Sequence, residues 1–291
     1  MFSKILKWAG FTLLGLAAMV RRAFGMVSFL VHRHVNKQYA LQVREIAIPD
    51  DSATIAAGRH LYEIKGCGEC HGADLRGKVF VDDPAIGRIA GSNLTYGKGG
   101  LPESFDNKAW LRAMRHGLNA ENRTLLLMPA EEFTQMDDND IAAIIAFCKA
   151  QPKIDEASVP IEIKPLGKIL SVLGKIPLFP AEHIDHSWQQ PSQVAKAPTA
   201  AYGKYLSVSC TGCHKPTFMG GDNPVPGGAP VANITSSGHL GKWSKEDFIT
   251  TLRTGKTPEG KQLLVKDMPW TMTAQYTDDE LTALYLYLRG L

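Results

Sequence analysis

The pentapeptide Cys67-Gly68-Glu69-Cys70-His71 returns later in the chain as Cys210-Thr211-Gly212-Cys213-His214. Two thiols with two residues between them, followed at once by histidine, make the attachment signature of a c-type haem. Each cysteine adds across one vinyl group of the porphyrin, and on a turn of helix the next residue brings its imidazole under the iron as proximal ligand. The order of residues is therefore stereochemical. A zinc site would need a further cysteine or histidine pair to close a tetrahedron. The two copies use four of the five cysteines, and Cys148 has no partner left, so a disulfide framework is poorly served too. The pattern predicts two covalent haems, attached at Cys67 and Cys70 and at Cys210 and Cys213, with His71 and His214 on the iron.

A chain of 291 residues with 44% hydrophobic and 21% charged residues is a folded one, long enough for two small domains. Its net charge of +3 is too weak to argue for nucleic acid, and none is expected as a partner.

The first 40 residues differ in kind. Lys4 and Lys7 precede an uncharged apolar run from Trp8 to Val20, like the basic start and greasy middle of an export signal. Arg21 and Arg22 interrupt it, and a second apolar piece runs from Ala23 to Val31. The first run is short for a full span, which needs about 20 residues, although arginines near a helix end snorkel to the headgroups. Basic residues are denser after the run than before it, against the positive-inside expectation for an anchor with an exported C-terminal side. An uncleaved membrane anchor is the expectation. A signal cleaved near Ala23-Phe24-Gly25, or an amphipathic helix lying on the bilayer, stands as the alternative.

An internal repeat organises the rest. Gly58-Arg59-His60-Leu61-Tyr62 leads to Cys67, as Gly203-Lys204-Tyr205-Leu206 leads to Cys210. Asn93-Leu94-Thr95 answers Asn233-Ile234-Thr235, and 105–117 answers 243–255, each of these last with apolar residues at helical spacing. Ser244 followed by Asp247 is a capping signal. Met128-Pro129 and the segment 134–148 run parallel to Met268-Pro269 and 274–288 at a constant offset. Acidic pairs Asp137-Asp138 and Asp278-Asp279 open the closing helices, where they favour the positive end of the dipole.

Each repeat resembles a class I cytochrome c: a glycine-containing first helix, the attachment motif, a loop, a middle helix, a Met-Pro loop and a closing helix. The resemblance covers about 50–152 and 197–291 and implies an all-α fold of two tandem haem domains. It implies that Gly58 and Gly203 let the first helix cross closely over the closing helix, against Phe147 and Tyr287. It also implies axial methionines. Of Met114, Met128, Met136, Met219, Met268 and Met272, only Met128 and Met268 precede proline at matching positions, 57 residues after His71 and 54 after His214. Proline stiffens the loop that presents the thioether, whereas a methionine that merely fills a core gap is the alternative. The resemblance further implies that polar groups near the glycine-rich loops hold the haem propionates; Asn93 and Asn233 are candidates, a plain turn role being the other.

His116 is answered by Thr254, so it is expected at the surface or on the propionate side, not on the iron; His60, His183, His186 and His239 belong to no motif. Cys148 matches Leu288 and is expected as a buried, inert thiol. Residues 153–196 carry Pro160, Pro165, Pro177, Pro180 and Pro191, which break any long helix. Within them Leu166, Ile169, Leu170 and Leu173 lie at helical spacing, as a strap packed across both haem domains. The expected organisation is 1–40 signal or anchor, 41–152 first haem domain, 153–196 linker, 197–291 second haem domain.

His/Met ligation leaves no open coordination position, so such an iron passes electrons and does not activate oxygen or peroxide. The expectation is a non-enzymatic dihaem carrier on the periplasmic side of a bacterial cytoplasmic membrane. Its redox partners would be a quinol-oxidising complex, a dehydrogenase or a terminal oxidase. The cytochrome subunits of membrane-bound dehydrogenases and oxidases resemble it at this level. The competing expectation, a dihaem peroxidase, requires one iron with an open or displaceable ligand, against which the two Met-Pro pairs count.

Overall fold

A computed structural model describes residues 2–188, 193–224 and 228–291. Pro191 of the linker and Gly227 of the second glycine-rich loop lie outside the described residues. Helix α1, Phe2–Asn36, is continuous through Arg21 and Arg22, which therefore do not divide it. It is long and apolar enough to cross a membrane, and Ile5, Trp8, Phe11, Leu14 and Val20 all stand exposed along it.

The first unit follows the expected order. Asp51 caps α2, Ser52–Ile64, by accepting from the backbone of Ala53 and Thr54 at 3.0 Å. Then come α3, Cys67–His71, α4, Asn107–His116, α5, Ala130–Phe133, and α6, Asp138–Lys149. Asp137 caps α6 through the Asp140 amide at 2.8 Å. Helix α7, Pro165–Val172, lies in the linker. The second unit repeats the plan with α8, Ala200–Leu206, α9, Thr211–His214, α10, Lys245–Thr254, α11, Trp270–Thr273, and α12, Asp278–Arg289. The Ser244–Asp247 capping box forms at the start of α10, and Thr277 with Glu280 makes a second one on α12.

The decisive packing is the crossing of the first helix of each unit over its closing helix. A Cβ on Gly58 would stand 1.9 Å from the Ala143 carbonyl oxygen and 2.8 Å from the Phe147 Cβ. On Gly203 it would stand 1.9 Å from the Ala283 oxygen and 2.8 Å from the Tyr287 Cβ. Both crossings are thus backbone-close, and only glycine permits them. The expected partners Phe147 and Tyr287 are the ones found.

Three features depart from the sequence expectation. The fold is mainly α, but a small antiparallel sheet accompanies it: β1, Lys78–Asp83, β2, Gly87–Gly91, and β3, Glu162–Ile163, in the order β1-β2-β3. Secondly, the linker helix does not strap the two units together. It packs on α1 and on the sheet of the first unit, where a Cβ on Gly167 would meet the Ile86 carbonyl at 2.3 Å. With it Leu178 and Phe179 close over Val31, Val35 and Leu127, a small core that seats the end of α1 on the first unit. His34 stacks on Phe179 at 5.0 Å and meets Glu182 at 2.7 Å. Thirdly, His116 is buried, its Nδ1 3.1 Å from His186 Nδ1, and His186 Nε2 donates to the Ala181 carbonyl at 3.0 Å. Burial, with the neighbouring His186, pushes the His116 pKa down to about 4.

The two units meet face to face around one hydrophobic core, which runs without a break from Leu61 and Phe147 to Leu206 and Leu284. Two polar contacts across it are related by the repeat. His60 of α2 meets the Glu280 carboxylate at 2.9 Å, and Tyr205 of α8 donates to Asp140 at 2.7 Å. Each unit offers the acidic residue of its closing helix to the first helix of the other.

Gly58→Ala and Gly203→Ala are each expected to cost about 3 kcal/mol or more of stability in urea denaturation, because neither backbone can give way. Gly25→Ala, at a site with nothing within 4 Å, should cost nothing measurable. The hydrogen bond to Glu280 holds His60 above its ordinary pKa, against burial. Its contribution is therefore full below about 6.5 and is lost as pH rises through the higher folded value. The stability difference between the wild type and His60→Gln should accordingly be larger at about pH 5.5 than at about pH 9. Since the ring is partly exposed, the change should not exceed about 1 kcal/mol. A difference that does not vary with pH would remove the charge from this contact.

Candidate haem centres

Each attachment segment is a short helix held from three sides. In the first unit Tyr62 donates to the Gly72 carbonyl at 2.6 Å, fixing the exit of α3. Strand β2 lies against it so closely that a Cβ on Gly91 would stand 2.2 Å from the Cys70 carbonyl oxygen. The Gly66 backbone, at φ +67°, turns the chain from α2 into the motif.

The histidines show what the segments are shaped for. His71 Nδ1 lies 2.9 Å from the Ser92 carbonyl, and His214 Nδ1 lies 2.8 Å from the Ala232 carbonyl. A carbonyl only accepts, so in both rings the proton is on Nδ1 and Nε2 is left with its lone pair free. Ring orientation and tautomer are thereby set as a metal-bound imidazole requires. Burial holds both rings below the ordinary histidine pKa, hence neutral and able to ligate. The four motif cysteines are free thiols, and burial pushes Cys67 and Cys210 up to about 12. Neutral thiols in apolar surroundings suit vinyl addition and not a metal thiolate. Among the described residues no three His, Cys, Asp or Glu side chains gather as a metal cluster. The residues present fit a covalent haem in each unit.

The Met-Pro loops repeat to within a few degrees. Pro129 has φ −76°, ψ 58° and Pro269 φ −76°, ψ 62°. In each the methionine carbonyl accepts from the amide two residues on, Ala130 at 2.8 Å and Trp270 at 2.7 Å. Met128 and Met268 are half-buried, whereas Met114 and Met136 are sunk in the protein core and Met219 is 60% exposed. The loops are held by residues that the motif search passed over. Arg115, buried on α4, donates to the carbonyls of Phe133, Thr134 and Met136 and meets Asp138 at 3.0 Å. Arg253 on α10 donates to the Ala274 carbonyl at 2.9 Å and to Asp278 at 2.6 Å. The readable signal was an arginine two residues before the left-handed capping glycine, Gly117 or Gly255, in both repeats.

Asn93 takes the turn role and not that of a propionate ligand. Its Nδ2 donates to the Ile154 and Glu156 carbonyls, and its Oδ1 accepts from Thr95. Asn233 likewise accepts from the Thr235 amide at 2.8 Å and donates to Ser237 at 3.0 Å. Cys148 is buried, and burial holds its thiol well above the ordinary range, as expected of an inert core residue.

A family model described as cytochrome c matches residues 55–151 and again 200–291. The chain belongs to the cytochrome c family. As a protein with two cytochrome c domains it carries two haem c groups. Over 275 residues this cytochrome is 26% identical to the cytochrome c subunit of the quinone alcohol dehydrogenase of Gluconobacter oxydans (strain 621H), covering 83% of the chain and 55% of the relative. It is 29% identical over 286 residues to the corresponding subunit of Gluconacetobacter polyoxogenes, 84% and 57% covered. A third relative, the fructose dehydrogenase cytochrome subunit of Gluconobacter japonicus, is 25% identical over 270 residues, 82% and 52% covered. The chain thus spans a little over half the length of these relatives.

Replacing Cys210 and Cys213 by alanine should leave one covalent haem of two after acid–acetone extraction. Retention of both would place the second attachment elsewhere.

Proposed function

We propose that this dihaem cytochrome is the electron-transfer subunit of a membrane-bound dehydrogenase complex, anchored by α1 with its haem units on the periplasmic side. The haem units are assigned to 41–152 and 197–291, with 153–196 as the connection. Haem c supplies one-electron chemistry when bound. His71 and His214 would hold its iron through Nε2, and Met128 and Met268 through their sulfurs. The observation that carries this is the matched pair of imidazoles, each with Nδ1 committed to a backbone carbonyl. Two imidazoles with the same committed Nδ1 and two Met-Pro loops of one conformation support the reading of the centres as those of an electron carrier. Pro129 and Pro269 with the arginine braces keep the thioethers in place, and the shared apolar core excludes water.

The dehydrogenase is proposed as partner because the relatives are named as cytochrome subunits of such enzymes. Anchoring has its own support. The lower end of α1 is packed into the first unit by Val31, Val35 and His34, and a cleavage near Gly25 would leave this helix without its apolar half.

The spectrum of the fully reduced protein, with haem counted per chain, should show two haems and no response to carbon monoxide. Met128→Ala and Met268→Ala should each convert one haem to a high-spin, carbon monoxide-binding form. An unchanged low-spin spectrum in either variant would assign the distal ligand to another residue, and gas binding by the wild type would favour the enzymatic alternative.

A further inference from the structure

The face between the two units holds a short polar chain in otherwise apolar surroundings. Lys65, at the end of α2 and two residues before the first motif, reaches over so that its Nζ donates to Ser209 Oγ at 3.0 Å. Ser209 immediately precedes Cys210. The Glu132 carboxylate, on the short helix after Met128-Pro129, stands near the same hydroxyl. The Glu132 carboxylate also hangs over the second motif, 3.7 Å from where a Cβ on Gly212 would lie. The counterpart of Glu132 in the repeat is Met272, which lies more closely still over Gly66 at the entrance of the first motif, its sulfur 2.8 Å from a Cβ placed there. The helix after each Met-Pro loop therefore covers the other unit's attachment segment. Only the first of these two contacts is charged, and the position answering Lys65 is Val208.

We propose that Lys65 and Glu132, both beside Ser209, form a shared electrostatic element that sets the reduction potentials of both haems together. The proposal rests on the dihaem reading above. Cys67 and Cys210, the first attachment residue of each haem, both lie within electrostatic reach of Lys65 and of Glu132. A cation in a poorly solvated place favours the added electron on any nearby centre, and an anion opposes it. Each of these two charges, lying between the attachment points, acts on both centres with the same sign. Burial draws Lys65 below and Glu132 above their ordinary pKa values, which marks the site as one where water screens little.

This gives the cluster a function in the carrier reaction. A charge that moves both potentials together leaves the step between the haems unchanged, so it sets how readily the pair as a whole takes up an electron. Lys65 and Glu132 are positioning residues in this sense, acting on the haems through the field alone.

The test is a spectroelectrochemical titration of the full chain with both haems attached, resolved into its two one-electron waves. Lys65→Met should lower both midpoints and Glu132→Gln should raise both. The expected size is roughly tenfold in each reduction equilibrium, or about 59 mV for one electron. The double variant should return both waves towards the wild type. Ser209→Ala breaks the hydrogen bond from Lys65 but keeps both charges, and should leave the midpoints close to their original values. A shift of one wave alone, shifts of opposite sign, or a Ser209→Ala shift as large as that of Lys65→Met would overturn the proposal. Haem content, counted on the same samples, separates the two levels of failure: two haems with unmoved potentials defeat only the shared-charge assignment, whereas fewer than two in the wild type defeats the dihaem reading itself.

Discussion

The close approach of two helix backbones at Gly58 and again at Gly203 is the constraint from which the rest follows. With Ala143 and Ala283 carbonyls lying where a side chain would begin, α2 and α8 have one angle and one depth at which to cross their closing helices. That crossing places the ends of α2 and α8, and hence the cysteines that follow them, relative to the start of α6 and α12. The same helix starts carry Asp138 and Asp278, which hold Arg115 and Arg253 and through them the Met-Pro loops. The attachment segment and the Met-Pro loop of each unit are thus referred to a single contact. A methyl group there would disturb both at once.

Duplication does more than supply a second haem. Because each unit presents the acidic N-terminal turn of its closing helix to the first helix of its neighbour, the two copies associate much as a symmetric dimer does, with equivalent surfaces in mutual contact. The substitutions between copies then show where the symmetry was useful to break. His60 against Tyr205, Glu132 against Met272 and Lys65 against Val208 all lie on this face.

Much of the architecture was legible because it depends on local pattern. The Met-Pro positions and the capping residues sit within one turn or one repeat of their signals, whereas the glycine partners Phe147 and Tyr287 came from the resemblance to class I cytochromes c. The remainder depends on atoms without a sequence signature or on partners far along the chain. The repeat drew attention to Asn93 and Asn233, yet the groups that orient the histidines are the carbonyls of the residues just before them, Ser92 and Ala232. Any residue type supplies a carbonyl. His116 looked exposed because its partner His186 lies 70 residues away in the linker. The sheet escaped notice because its strands are short, and β3 is contributed by the linker beyond α6. The apolar spacing of α7 did not mark its buried face: Leu166, Ile169 and Leu173 stand exposed, and the residues it buries are Gly167 and Ser171, small ones that let it lie close to its neighbours.

The seating of α1 has a consequence for encounter with a partner. Val31, Val35 and His34 join the helix to the first unit without an intervening flexible tether, so the haem-bearing body turns and drifts with the helix as one piece. With α1 in a bilayer, as proposed above, its approach to another protein there is confined to sliding and to rotation about the membrane normal, at a constant height. A fitting partner needs its own redox group at that height, and collisions at any other level are unproductive however often they occur.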